Sequence, residues 1–220
     1  MIASVALATL IRTCAPSVDV RTAAAIVAVE SGGREYAVRD NTTRRSYFPT
    51  SLADAQDLVR RLLGHQLDLG LAQVDTVNLP AFGVTPAQAL DSCTSLRLGS
   101  QVLAEDYRQA YRQATGATEE ERRQVALRRA FSAYNSGSPT AAPDYAALVV
   151  AATSSPLVRE ATAIADGRES GAVGRLAHRA APSKPSEPLR VAYGLGTASS
   201  VFAGAPSRIS GSAFVVEGAR

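Results

Sequence analysis

VRTAAAIVAVESGG, residues 20 to 33, is an apolar run that ends on a single carboxylate, Glu30, and then meets two glycines. Asp19 stands where a helix N-cap belongs, and Gly32 and Gly33 supply a stop. Alanines and branched aliphatics between them leave little polar surface, so the reading is a buried helix whose last residue is an acid. A carboxylate there meets the negative end of the helix dipole and is stripped of water by its neighbours. Both effects favour the protonated form, which is the environment of a general acid. The alternative is a glutamate that fans out past the glycines into solvent, and this stretch alone does not separate the two.

The surrounding sequence is expected to be helical as well. Of 220 residues 46% are hydrophobic, only 5% aromatic and none Trp, so aliphatic and alanine packing must build the core. That suits an all-α domain better than a β-sandwich. The opening MIASVALATLIRTC is too short to span a bilayer and lacks the positively charged n-region of a secretory signal, so it reads as a first core helix. Between β-formers, RDNTTRR (39–45) predicts a small hairpin or irregular ribbon. Ser51 and Asp54 open a third helix with Leu52, Ala55, Leu58, Val59, Leu62 and Leu63 on one face. Thr85, Pro86 and Gln88 start a short fourth. Two longer helices are expected over about 95–114 and 118–134, the second capped by Thr118 with Glu121, and DYAALVVAA (144–152) adds a final turn or two. In DLGLAQVDTVNL (68–79), Gln73 is expected inside a short strand-like run opened by Gly70.

From Thr153 onward Ala, Ser, Gly and Pro dominate, and such a segment buries too little surface to offset the entropy of ordering it. The expected organisation is therefore a domain over 1–150 and a low-complexity, disordered tail over 151–220, with a short helical stretch near LVREATAIAD (157–166). Charge divides at the same place. Through Val150 there are 15 basic and 15 acidic residues, and the whole excess of +3 lies beyond. The front part thus forms no basic stripe with interleaved aromatics, and nucleic acid is not an expected partner.

Cys14 and Cys93 have no His or Cys neighbour at metal-ligand spacing, and no metal or cofactor is expected. They are either two buried thiols or a disulfide. The disulfide would close a loop of nearly eighty residues, stabilise the fold by roughly 4 kcal/mol on the chain-entropy model, and mark an oxidising compartment.

Three short motifs follow one another in a telling order: ES after an apolar helix, GLAQ at 70–73, and AYN at 133–135 before a glycine. With CAPSV at Cys14 and CTSLRLG at Cys93, the set resembles the lytic transglycosylases of goose-type-lysozyme-like fold, and among them the small transglycosylases of type IV secretion systems. The resemblance covers roughly residues 8–148. It implies an all-α, lysozyme-like domain acting on peptidoglycan glycan strands in the periplasm, although no export signal is evident, and it pairs Cys14 with Cys93. It makes Glu30 the catalytic acid and base, with Ser31 beside it. Gln73 would hydrogen-bond sugar substituents, while Tyr134 and Asn135 would hold the Glu30 carboxyl and the glycan. Secretion-system subunits are the partners it implies for the tail. It also suggests that Ala72, where many relatives carry Met, leaves the groove less filled.

The chemistry implied is cleavage of the β-1,4 bond between N-acetylmuramic acid and N-acetylglucosamine to a 1,6-anhydromuramic product, which one carboxyl group can perform. A hydrolytic muramidase would need a second carboxylate, for which Glu35, Asp40, Asp68 and Asp75 are candidates. A catalytically weak, peptidoglycan-binding scaffold subunit would keep the groove and survive loss of Glu30.

Overall fold

The structure is a computed structural model, and it describes residues 1–168. Over these residues the chain folds into helices around one small sheet. Helix α1 (Ser4–Cys14) buries Leu7, Ala8, Ile11 and Cys14, as expected of a first core helix. Helix α2 (Val20–Glu30) starts where Asp19 accepts hydrogen bonds from the Arg21 and Thr22 amides, and it buries Ala23 to Val27 together with Glu30. The turn-rich ribbon is a true hairpin of β1 (Val38–Asp40) and β2 (Arg45–Tyr47).

Helix α3 (Leu52–Arg61) is capped by Ser51 but buries only Ala55 and Val59, and Leu63 is exposed beyond its end. Strands β3 (Leu67–Leu69) and β4 (Val74–Asp75) complete an antiparallel sheet in the order β2-β1-β3-β4. Helix α4 (Pro86–Ala89) carries the full Thr85–Gln88 capping box, and α6 (Glu119–Ser136) the Thr118–Glu121 box. Between them runs α5 (Ser92–Gln113), the longest helix among the described residues.

Two sequence expectations change. Gln73 is not in a strand but in the reversal between β3 and β4, where Gly70 and Gln73 both take the left-handed conformation (φ 74° and 47°). The final turn or two is a complete helix, α7 (Pro143–Ala152), followed by α8 (Pro156–Ala165) in the stretch expected to be briefly helical. Helix α8 packs across α1 and α2, buries Val158 and Ala161, and its Glu160 accepts a hydrogen bond from Ser4. The packed core therefore continues past Val150. The remainder of the expected tail, residues 169–220, lies outside the described residues.

The core has two main parts. One joins α1, α2, α5, α6, α7 and α8 through Leu7, Ile11, Ile26, Leu103, Phe131, Val149 and Val158. The other lies under the sheet and holds Val38, Leu67, Leu69, Val74, Leu79 and Leu98. Cys14 and Cys93 form a disulfide (Cα–Cα 5.3 Å) that ties the end of α1 to the first turn of α5. Among the described residues no helix is long and apolar enough to cross a membrane.

Candidate active site

Glu30 is 1% exposed, which settles the opening question: the last residue of α2 points into the protein. Its partner is the hydroxyl of Tyr145 on α7, which donates to Oε1. Burial lifts the carboxyl from 4.5 to about 7, and the Tyr145 hydrogen bond opposes that rise without cancelling it. A group with this pKa gives up and regains a proton at neutral pH with little driving force wasted. The turn that holds it is short. Gly32 and Gly33 both adopt positive φ, the Ile2 amide donates to the Gly33 carbonyl at 2.7 Å, and a side chain at Gly33 would meet Leu157 of α8 at 3.3 Å. Helix α8 thus buttresses the peptide that follows the acid.

The other expected site residues behave unequally. Ser31 is fully buried and donates its hydroxyl to the Val27 carbonyl at 3.1 Å, a bond back along its own helix. Gln73 donates through Nε2 to the carbonyls of Ala37 (3.1 Å) and Gly70 (2.8 Å), which fixes the amide plane. Its Oε1 is buried with no hydrogen-bond partner among the described residues. Tyr134 does not hold the Glu30 carboxyl. Its hydroxyl donates to the Ala72 carbonyl at 2.8 Å and so anchors the turn that carries Gln73. Gly99 makes room for this contact, since a Cβ there would lie 2.8 Å from the Tyr134 hydroxyl and 2.6 Å from Ala72 Cβ. Ala72 is accordingly packed against α5 and 3% exposed rather than opening a groove. Asn135 follows Tyr134 in the last turn of α6 and is partly exposed.

A second acid lies beside the first. Asp68 in β3 is 1% exposed, and the group that faces its carboxyl is the Asn41 side-chain amide. Burial pushes it up to about 8; the Asp75 and Glu30 carboxylates add to the rise, while the Asn41 amide and Arg39 guanidinium oppose it. The other carboxylates proposed from sequence are engaged. Asp40 holds the Thr42 and Thr43 amides, the Thr43 hydroxyl and the His65 ring. Asp75 accepts from Gln66 and from the Val77 amide, and Glu35 accepts from Ser92 at 3.2 Å.

Comparison with known proteins identifies this arrangement. The family model for the transglycosylase SLT domain matches residues 9–144, a span that holds Glu30, Gln73, Tyr134 and both cysteines. The chain belongs to the transglycosylase SLT domain family. Type IV secretion system protein virB1 of Brucella abortus is 40% identical over 161 residues, 68% of this chain and 66% of that protein. The corresponding protein of Brucella suis is 40% identical over 151 residues, 64% of this chain and 61% of that one. Protein virB1 of Agrobacterium fabrum is 42% identical over 131 residues, 59% and 51% of the respective chains. This SLT-domain chain thus spans between half and two thirds of the length of those relatives. No solved structure gives a significant match.

Sequence reasoning missed Arg39 and Asn41, and Tyr145 one residue past the matched span. Tyr145 carried one usable signal. It opens an otherwise apolar helix, and a tyrosine buried there needs a partner for its hydroxyl. Arg39 and Asn41 sit in a turn-rich ribbon that reads as surface, and only the sheet pairing turns them toward Asp68.

Proposed function

We propose that this SLT-domain protein is a peptidoglycan lytic transglycosylase that cleaves the β-1,4 link between N-acetylmuramic acid and N-acetylglucosamine. The observation that carries the reading is Glu30, fully buried, held by Tyr145, with a pKa near 7. Protonated, it donates to the glycosidic oxygen as the bond from C1 of the muramic residue breaks, and the N-acetylglucosamine leaves as an alcohol. The carboxylate that results takes the proton from the muramic C6 hydroxyl, whose oxygen forms the new bond to C1. The product is the 1,6-anhydro sugar, Glu30 ends protonated, and no water is consumed. Its near-neutral pKa serves both half-reactions, and holding the C6 hydroxyl against C1 makes the closure intramolecular.

The state of the other carboxylates supports this over hydrolysis. A muramidase needs a second carboxylate ready to act as base or nucleophile. Asp40, Asp75 and Glu35 are occupied by hydrogen bonds, and Asp68, raised to about 8, is mostly protonated at neutral pH. The name of the Brucella relatives, a type IV secretion system protein, supports a role in which the enzyme opens the wall locally, in the periplasm, for a type IV secretion or conjugation apparatus. The catalytic unit in this reading extends through α8. The residues beyond it, which hold the chain's whole net charge of +3, dock to subunits of that apparatus.

Digestion of purified peptidoglycan by the wild type and by Glu30→Gln, with products read by mass spectrometry, tests the proposal. Anhydromuramic ends from the wild type and none from the variant are expected. Reducing ends would make the protein a hydrolase, and an active variant would remove Glu30 from the chemistry.

A further inference from the structure

Helix α7 has a second face that the cleavage mechanism does not use. After Asp144 its residues are apolar on every side, and a helix of that kind is ordinarily covered all round. It turns Tyr145 and Val149 inward, yet leaves Leu148 and Val150 about half exposed (50% and 47%). Against α6 the outer face forms a groove of about 610 Å³, floored by Ala146, Ala147, Val150 and Ala151 and rimmed by Arg128 and Arg129. That volume is ordinary for a site that takes several side chains. Arg128 is exposed, and neither arginine forms an ion pair among the described residues. An apolar floor with a basic rim calls for an apolar segment that ends on an acid.

The chain itself holds one. Beyond Arg168 the acids are Glu169, Glu187 and Glu217, and only Glu217 follows an apolar run, AFVV at 213–216. The other two stand in GRESG and PSEPL, and the run VFA at 201–203 leads instead to Arg208. The connection is long enough. Only residues 153–155 join α7 to α8, and α8 is 10 residues, or about 15 Å, long. Residues 169–212, at up to roughly 3.3 Å each, therefore return to the groove with length to spare. Docking is then intramolecular, at an effective concentration of roughly a millimolar, so a weak contact suffices.

We propose that residues 213–217 fold back as a strap into the α6–α7 groove, with Phe214, Val215 and Val216 on its floor and the Glu217 carboxylate at Arg128. The strap covers the back of the helix whose inner face presents Tyr145 to Glu30. It also closes residues 169–212 into a loop that carries the whole net charge of +3, because Glu217 and Arg220 cancel in the segment beyond. A contact this small bears on local opening of α7 rather than on global unfolding. It is independent of what Glu30 cleaves.

Hydrogen exchange of the full chain, read by mass spectrometry without any glycan, tests the strap. Peptides covering 213–217 and the second half of α7 should exchange roughly tenfold more slowly in the wild type than in Phe214→Ser. Glu217→Arg should release both peptides, and adding Arg128→Glu should restore their protection. Unchanged protection of α5 is the control that each variant is folded. Free exchange at 213–217 in the wild type would overturn the strap and leave the groove to another protein. Protection that fades on dilution would place the segment on a second copy and overturn it equally, as would a charge reversal that restores nothing.

Discussion

Replacing Glu30 by Gln should make the protein more stable, and by an amount that depends on pH in a defined way. In the unfolded chain the carboxyl titrates near 4.5; folded, burial holds it near 7. A folded pKa raised above the unfolded one means that the native state binds the proton more tightly. The stability this contributes is fully present below pH 4.5 and is lost as pH rises through 7. The difference of about 2.5 units corresponds to about 3 kcal/mol of native-state cost at pH 8.5. The side chain is fully buried, so solvent screening does not reduce it. Gln fills nearly the same volume, still accepts from Tyr145, and has no proton to lose. It also removes one of the charges that raise Asp68. The stability of Glu30→Gln relative to wild type should therefore move in its favour by about 3 kcal/mol between pH 4 and pH 8.5. Urea unfolding of both proteins at the two pH values, disulfide intact, reads this directly. A difference that stays constant with pH would refute the argument, because it would mean that Glu30 titrates normally and is not the buried acid the mechanism needs.

Tyr145→Phe removes the donor that lowers the Glu30 pKa, so cleavage should fall by tenfold or more while the alkaline limb of its pH profile shifts upward. Tyr134→Phe should leave that limb in place, because its hydroxyl holds Ala72, and a shift there would reverse the two roles. A chain ending at Val150 should lose stability and activity, whereas one ending at Arg168 should keep both; equal melts for the two would mean that α8 contributes nothing to the turn after Glu30. Changing Cys14 and Cys93 together to Ser should cost roughly 4 kcal/mol in denaturant unfolding, since the disulfide spans a sequence separation of 79, and an unchanged midpoint would deny that the link constrains the unfolded chain. Gly99→Ala should destabilise the fold by about 1–3 kcal/mol through overpacking and reduce cleavage through the displaced Gln73 turn; a neutral result would show that Ala72 and Tyr134 yield easily.

The sequence by itself determined what depends on neighbours along the chain. Asp19, Ser51, Thr85 and Thr118 cap helices because each side chain reaches the amide two or three residues on, whatever the rest of the molecule does. The apolar run to Glu30, stopped by two glycines, announced a helix ending on an acid, and the ordered ES, GLAQ and AYN motifs with two cysteines announced the family. What lay across the chain was decided only by tertiary structure. Whether Glu30 turned inward depended on Tyr145, 115 residues away, while Tyr134 was drawn instead to the Ala72 carbonyl through the space that Gly99 leaves open. Composition alone gave no reason for α8 to pack, because a short helix of small residues is stable only where α1 and α2 offer it a surface. Asp68, Arg39 and Asn41 were equally open from sequence. One strand residue in two faces the core and its neighbours face away, and only the register across the sheet brought Arg39, Asn41 and the second acid together beside the first.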